Sequence, residues 1–297
     1  MTSIDRILFG DNQFFGVNHM SEEKARAQAM RFRDVDAIIS VLDTAYELGI
    51  RSFMCTTHDQ IGAIADYVAA NPARYEGFVF LPGMPYAHKY ANMVGELGMV
   101  DTLRAVTPGG LVEAMVRGAK STLSMGRDLD DLLKMLVDAE MARFAQVDTP
   151  VIFLQNVLAD LLLGLGATHF FAAFADYVGE RYGAEAGFFT MNLPAMVPAL
   201  HKAGIENPIV CCNYNLINFR MAGGIEAYDE VLANEQCRVI AMSVLASGAI
   251  PADEAIDWIC SRPQIESIVF GASSRGNIAN TIDLIETFDT RRRSVTL

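Results

Sequence analysis

The sequence alternates short apolar runs, rich in β-branched and aromatic residues, with longer segments of helical spacing along its whole length. Such runs predict buried strands, and apolar residues three and four positions apart predict helices that pack on them. Because parallel strands need crossover helices, the alternation predicts an α/β protein with one (β/α)8 barrel domain spanning residues 1–297. The eight strands are predicted at 6–9, 51–55, 77–81, 151–155, 187–191, 208–213, 238–242 and 267–270. Helices are predicted at 35–48, 130–144, 170–182, 194–203, 228–233, 252–260 and 277–287.

The size and charge of the chain suit this architecture and limit its partners. With 297 residues and 52% hydrophobic content, the chain is long enough to bury the core of one α/β barrel. The net charge of −13 argues against nucleic acid and anionic membranes as partners, because both attract basic surfaces. We therefore expect a small molecule as the partner, with the oligomeric state left open.

The cysteines and the apolar segments predict a cytoplasmic protein. Five cysteines without paired spacing do not indicate a disulfide framework. The N-terminal segment has the acidic Asp5 where a signal peptide would be basic. The most apolar segment, 157–177, is interrupted by Asp160, two glycines and His169, which predicts a buried helix rather than a membrane span.

Polar side chains follow most of the predicted strands, at the barrel end where enzymes of this fold build their sites. Amides predominate among them, which suits a polar, hydroxylated or carboxylated small molecule. Each of these residues also has a structural explanation as a cap or a turn former. The predicted substrate-binding residues are Asn12, Gln13, Gln155, Asn156, Asn192 and Asn213.

The turn after the eighth predicted strand has the composition of an anion site. Gly271 ends the strand, and Ser273, Ser274 and Arg275 follow at the start of a helix. Unpaired main-chain N–H groups and the positive end of the helix dipole favour a phosphate at such a turn. The alternative is an ordinary strand-to-helix turn in which a serine caps the helix.

The predicted catalytic residues are His58, Asp59 and Asp11. His58 directly follows the second strand and titrates near neutral pH, Asp59 is its neighbour, and Asp11 follows the adjacent first strand. The alternative for His58 and Asp59 is that they cap the helix that begins near Gln60. No metal site is predicted, because Cys211 and Cys212 are adjacent on a strand and point to opposite faces.

A long insertion follows the third strand, over residues 83–110. Long connections at this end of a barrel often cover the ligand, so we predict a lid. The alternative is a small helical hairpin packed on the barrel rim. The lid would place Tyr86, His88, Tyr90, Met93 and Met99 over the ligand.

Four motifs in the right chain order resemble the aldo/keto reductases. They are LDTAYELGIRSF before the second strand, NPIVCCNYNLINFR at the sixth, RVIAMSVLASGAI at the seventh and IESIVFGASSRGNIANTI at the eighth, with FFTMN at the end of the fifth. The resemblance implies a (β/α)8 oxidoreductase that uses NADP. It also implies that the adenosine phosphate of the cofactor is bound by Ser273, Ser274, Arg275 and Asn277, with a contribution from Thr281.

The resemblance also implies that the family's catalytic tetrad is replaced. The aspartate falls on Met54, the tyrosine on Asp59, the lysine on Leu81 or Pro82, and the histidine on Gln155, while Met242 stands at the ring-stacking position. Carbonyl reduction needs a positioned proton donor that these residues do not supply in the usual way, so NADP use is itself in question.

Three hypotheses follow. The first is a divergent barrel enzyme that acts on a small polar, phosphorylated ligand, with His58 as its acid/base. The second is an NADP-dependent oxidoreductase with a rewired proton donor. The third is a catalytically silent subunit that binds a nucleotide or metabolite.

Overall fold

The computed structural model describes residues 2–16, 22–85 and 124–289. Eight parallel strands close into a barrel in which each strand pairs with its neighbours in sequence and β8 pairs with β1. The predicted (β/α)8 barrel is therefore confirmed. The strands are β1 (Ile7–Gly10), β2 (Ser52–Thr56), β3 (Val79–Met84), β4 (Val151–Leu154), β5 (Glu185–Thr190), β6 (Ile209–Asn213), β7 (Arg238–Met242) and β8 (Ile265–Phe270).

Ten α-helices lie in the described part of the chain. Most follow the predicted segments, and the helix predicted at 252–260 has exactly those bounds. The helices are α1 (Glu22–Arg31), α2 (Val35–Glu47), α3 (Asp59–Ala70), α4 (Ser124–Met141), α5 (Asn156–Gly164), α6 (His169–Tyr182), α7 (Leu193–Lys202), α8 (Gly224–Asn234), α9 (Ala252–Cys260) and α10 (Arg275–Phe288).

The apolar segment 157–177, predicted as buried helix, is divided in the structure. Two helices, α5 and α6, occupy this region, and Gly166 lies between them with φ of 68°. Glycine adopts this left-handed conformation without steric cost, so the chain reverses there. Val157 and Leu161 of α5, and Leu165 directly after it, are more than half exposed. Among the described residues, no helix has the length and apolarity that crossing a bilayer requires.

Alternation along the strands divides the apolar residues into two cores. Residues such as Leu8, Met54 and Cys211 fill the barrel interior, while Phe9 and Cys212 pack between the strands and the helices. The two adjacent cysteines of β6 therefore do face opposite sides, as expected. The amino-terminal end of the barrel is closed by ion pairs from Arg238 to Glu185 and Glu266.

The described residues include only the first part of the insertion after β3. Of the predicted lid at 83–110, residues 86–110 lie outside the described residues, and with them the five side chains that were predicted to cover the ligand.

Candidate functional site

The floor of the barrel mouth is apolar. The rings of Phe153 and Phe189 lie 5.0 Å apart across the barrel interior. Each ring occupies space that a glycine leaves open. A Cβ on Gly187 of the neighbouring β5 would lie 2.3 Å from Phe153, and one on Gly83 of β3, two strands away, would lie 2.6 Å from Phe189. The polar side chains that follow the strands lie beyond these rings, at the carboxyl ends of the strands.

Two positions of the implied tetrad lie in this apolar interior. Met54 is 5% exposed and Leu81 is 2% exposed, and both belong to the interior cluster against which Met242 packs. A thioether and an isobutyl group neither carry charge nor donate a proton at these positions. Proton transfer at the mouth would have to come from other residues.

Asp11 lies at the end of β1 and is held by the end of β2. Its Oδ2 accepts hydrogen bonds from the main-chain N–H of Thr56, at 2.6 Å, and from the Thr56 hydroxyl, at 2.7 Å. Burial raises the pKa of Asp11 to about 6, and the two bonds from Thr56 hold it below the value that burial alone would give. A carboxyl group with this pKa exchanges protons readily near neutral pH.

His58 is the N-cap of α3. Its Nδ1 accepts a hydrogen bond from the main-chain N–H of Gln60 at 3.2 Å, and its ring stacks on Phe15 with centroids 4.0 Å apart. Because Nδ1 is the acceptor, the neutral ring carries its proton on Nε2. Burial lowers the pKa of His58, with opposing electrostatic effects from Asp59 and Arg143. His58 is therefore suited to donate a hydrogen bond through Nε2 as a neutral imidazole.

Asp59 stands in the first turn of α3, and its side chain is 80% exposed. It forms an ion pair with Arg143 at 3.0 Å, and Arg143 also contacts the buried carboxylate of Glu140 at 3.2 Å. The capping arrangement that the sequence offered as an alternative for His58 and Asp59 is present. Their catalytic assignment stays a prediction.

The turn after β8 is a capped helix start with an added cation. Ser274 is the N-cap of α10, and its hydroxyl accepts a hydrogen bond from the N–H of Asn277 at 3.3 Å. Arg275 extends to Glu47 on α2, at 2.7 Å. Arg31 of α1 instead contacts Ser273. Its guanidinium donates to the hydroxyl of Ser273 at 3.2 Å and to the carbonyl oxygen of Ser273 at 2.8 Å.

A cavity of about 280 Å³ lies at this turn. It is bounded by the start of α10, by the loop after β7, by Gln13 from the loop after β1 and by Gln28 from α1. A cavity of this size holds a small metabolite or part of a larger ligand. The lining residues are Gln13, Gln28, Leu245, Ala252, Gly271, Ala272, Ser273, Asn277, Asn280 and Thr281.

The loop after β7, which contributes Leu245 to this cavity, has an unusual backbone. Ser243, Ala246 and Ser247 have φ of 54°, 44° and 59°, in the left-handed region that non-glycine residues rarely adopt. Strain of this kind often accompanies a binding or catalytic site, because the surrounding structure must hold the loop in place.

The predicted amide residues separate into those engaged by the fold and those left at the rim. Asn192 caps α7 by accepting from the N–H of Ala195 at 3.3 Å. Asn213 is 2% exposed and donates to the carbonyl of Arg220 at 3.0 Å, which holds the loop after β6. Asn12 is exposed, while Gln155 and Asn156 are partly exposed at the start of α5.

Sequence reasoning missed Gln28, Arg31 and Asp160. All three are on helices rather than directly after strands, so a search at strand ends does not find them. Asp160 accepts from the hydroxyl of Thr190 and from the N–H of Met191, and burial raises its pKa. The arginine in the last turn of α1 was the one available signal, but its target is 242 residues away in the chain.

A second cavity, of about 330 Å³, lies at the opposite end of β8. Its arginine, Arg262, donates to both carboxylate oxygens of Asp229 and lies 3.6 Å from the ring centre of Trp258. These contacts already satisfy the guanidinium. The residues that line this cavity do not include the polar groups that follow the carboxyl ends of the strands, so we place the candidate site at the smaller cavity.

No protein-family model and no curated protein matches this sequence. Solved structures match over nearly the whole chain. An aldo-keto reductase from Bacillus halodurans, in its holo form, has a TM-score of 0.57 at 12% identity, with 97% of this chain and 91% of that chain covered. A thermostable aldo-keto reductase in complex with the inhibitor epalrestat has a TM-score of 0.56 at 12% identity, covering 97% and 95%.

Aldose reductase from Giardia lamblia is similar to the same extent, with a TM-score of 0.55 at 13% identity and coverage of 98% and 92%. At this level of identity the likeness concerns the fold. The chain therefore has the (β/α)8 barrel fold of the aldo-keto reductases.

Proposed function

We propose that this protein is a divergent enzyme on an aldo-keto-reductase-like barrel, which binds a small polar, phosphorylated ligand at the start of α10. The observation that carries this proposal is the pair of hydrogen bonds from Arg31 to Ser273, a residue that lines the 280 Å³ cavity. A guanidinium binds phosphate through several N–H groups, and the N-terminal turn of α10 adds main-chain donors and the helix dipole. Arg31, Ser273, Ser274 and Asn277 are the proposed phosphate-binding residues, while Arg275, predicted with them, pairs with Glu47.

We place the proton chemistry at the ends of β1 and β2. Asp11 would take or give a proton, because its pKa of about 6 keeps both forms populated near neutral pH. His58 would donate a hydrogen bond from Nε2 to an oxygen of the ligand. Asp59 would act on His58 by favouring the charged form of its ring. Asn12, Gln13, Gln155, Asn156, Asn192 and Asn213 are the proposed lining of the substrate side.

NADP(H) is the cofactor that this fold suggests. The residues at the start of α10 suit one of its phosphate groups, through the added cation of Arg31 and the main-chain N–H groups of that turn. When bound, NADPH would supply a hydride. The apolar side chains of Met54 and Leu81 do not suit the usual proton relay, so an oxidoreductase would need Asp11 or His58 as its proton donor.

Calorimetric titration with NADPH, NADP and inorganic phosphate tests these alternatives. We expect phosphate binding that weakens in Ser273→Ala and is unchanged in the matched variant Ser261→Ala, which lies at the opposite end of the barrel. Tight NADPH binding coupled to aldehyde reduction would favour the rewired oxidoreductase instead. Nucleotide binding without turnover of any substrate would favour a silent binding subunit, and absence of binding by all three would overturn the proposal.

A further inference from the structure

Gln13 lines the cavity and has a buried acceptor oxygen without a hydrogen-bond partner among the described residues. The residue is 6% exposed, and its Nε2 donates to the carbonyl oxygen of Gly10 at 2.8 Å. This bond determines the orientation of the amide, because exchanging the two ends would set an oxygen against a carbonyl oxygen. Oε1 therefore lies on the other side, where it is inaccessible to bulk water and has no hydrogen-bond partner among the described residues.

Gly271 makes room for this oxygen. A Cβ on Gly271 would lie 2.0 Å from Oε1 of Gln13, so only glycine accommodates the side chain in this position. Both residues line the cavity. The ends of β1 and β8 thus hold the side chain of Gln13 beside the cavity, with Oε1 packed against Gly271.

Gln28 adds a second acceptor of the same kind. It lies on α1 at the same cavity, and its Oε1 is also buried with no partner within the described ranges. A buried oxygen without a hydrogen bond destabilises the folded protein, and native proteins rarely contain one. Two at one cavity, beside a cation and a helix start that both suit phosphate, indicate a ligand that brings hydrogen-bond donors.

We infer that Gln13 is a specificity-determining residue that accepts a hydrogen bond from an O–H or N–H group of the phosphorylated ligand. This inference rests on the proposed function, because the phosphate places the ligand in the cavity. Gln13 would favour ligands that carry a hydroxyl or amino group next to the phosphate-bearing part. It would disfavour ligands that present an apolar group or a carbonyl oxygen at that point, because Oε1 would then stay unsatisfied.

The test compares glycerol 3-phosphate with propyl phosphate by calorimetry, with inorganic phosphate as a reference. The two esters share the phosphate and the three-carbon chain and differ in two hydroxyl groups. We expect the wild-type protein to bind glycerol 3-phosphate about tenfold more tightly, as expected for one hydrogen bond of about 1.4 kcal/mol.

Two variants remove the preference by different means. Gln13→Leu deletes the acceptor, and Gly271→Ala keeps the amide but displaces Oε1 from its place. Both should bind the two esters with equal affinity, close to that of the wild type for propyl phosphate. Gln264→Leu, the same change at an exposed position at the opposite end of β8, should keep the tenfold preference.

The outcomes separate this inference from the proposed function. If both esters and inorganic phosphate bind equally well, the phosphate site stands and the role of Gln13 is overturned. The role is also overturned if Gln13→Leu and Gly271→Ala keep the preference. If none of the three compounds binds, the proposed function fails and this inference fails with it.

Discussion

The carboxylate of Asp11 and the end of β2 are joined through one residue, Thr56, which donates to Oδ2 from both its main-chain N–H and its hydroxyl. Two donors on one oxygen stabilise the charged form of a carboxyl that burial would otherwise keep neutral. The balance leaves the pKa of Asp11 at about 6, above that of an exposed aspartate. This relationship makes the charge of Asp11 depend on pH in the range where enzymes work.

Asp11→Asn should stabilise the protein in a pH-dependent manner. Between about pH 4 and 6 the native state binds more protons than the unfolded state, so the wild type loses stability as pH rises. The gain in free energy of unfolding from Asp11→Asn should be about 2 kcal/mol larger at pH 8 than at pH 4. Urea denaturation at both pH values measures it, with Asp283→Asn, an exposed aspartate on α10, as the control. An equal gain at both values would show that Asp11 does not titrate as stated.

His58→Asn should separate the cap of α3 from the proposed chemistry. Asparagine is among the best N-cap residues, so the free energy of unfolding of His58→Asn should lie within about 0.5 kcal/mol of the wild-type value at pH 8. The free energy of unfolding of His58→Ala should be about 1 kcal/mol lower than that of the wild type. Turnover of a substrate, once identified, should fall at least about 100-fold in both variants, because neither keeps the Nε2–H donor. Full turnover in His58→Asn would rule out the chemical role, and equal instability of the two variants would rule out the cap.

The pH dependence of His58 has the opposite sign to that of Asp11. Because burial lowers the pKa of His58, the unfolded chain binds more protons below about pH 6.5, and the contribution of His58 to stability falls as pH drops through that range. A two-dimensional NMR titration of the ring should show a midpoint below the ordinary histidine value. A midpoint above 6.5 would contradict the cap geometry, since Nδ1 must stay unprotonated to accept from Gln60.

Arg31→Met should weaken phosphate binding. The variant keeps most of the side-chain length but removes the guanidinium that reaches Ser273, so we expect about a 5- to 10-fold loss of affinity for inorganic phosphate. The loss should shrink at high salt. Arg33→Met, two residues along the chain, removes the same charge from an exposed position and should have little effect in the same calorimetric titration. Equal losses in the two variants would mean that only net charge matters.

Gly187→Ala should destabilise the barrel by filling the floor of the site. The new Cβ would lie 2.3 Å from the ring of Phe153, and overpacking of this kind costs roughly 1–3 kcal/mol. Gly179→Ala, on the exposed face of α6 with no atom within 4 Å of the new Cβ, should instead gain up to about 1 kcal/mol. Thermal and urea unfolding of both variants measure this difference.

The barrel could be predicted from the sequence because period and length identify each element locally. All eight strands occur within a few residues of their predicted positions. The largest difference is at β3, predicted at 77–81 and found at Val79–Met84, while β5 begins two residues before its predicted start, at the charged Glu185. The carboxylate of Glu185 pairs with Arg238 of β7 at 3.2 Å, a contact that local periodicity does not reveal.

The sequence by itself determined which strand ends carry polar groups, and that Ser274 would suit a helix cap, because such preferences depend on a few adjacent residues. Only the tertiary structure decided which of these groups meet. Arg275, the cation next to the predicted phosphate site, pairs with Glu47, and Arg31 from another helix contacts Ser273 in its place. Helix packing brings residues 242 positions apart to within 3.2 Å, and no local pattern encodes that distance.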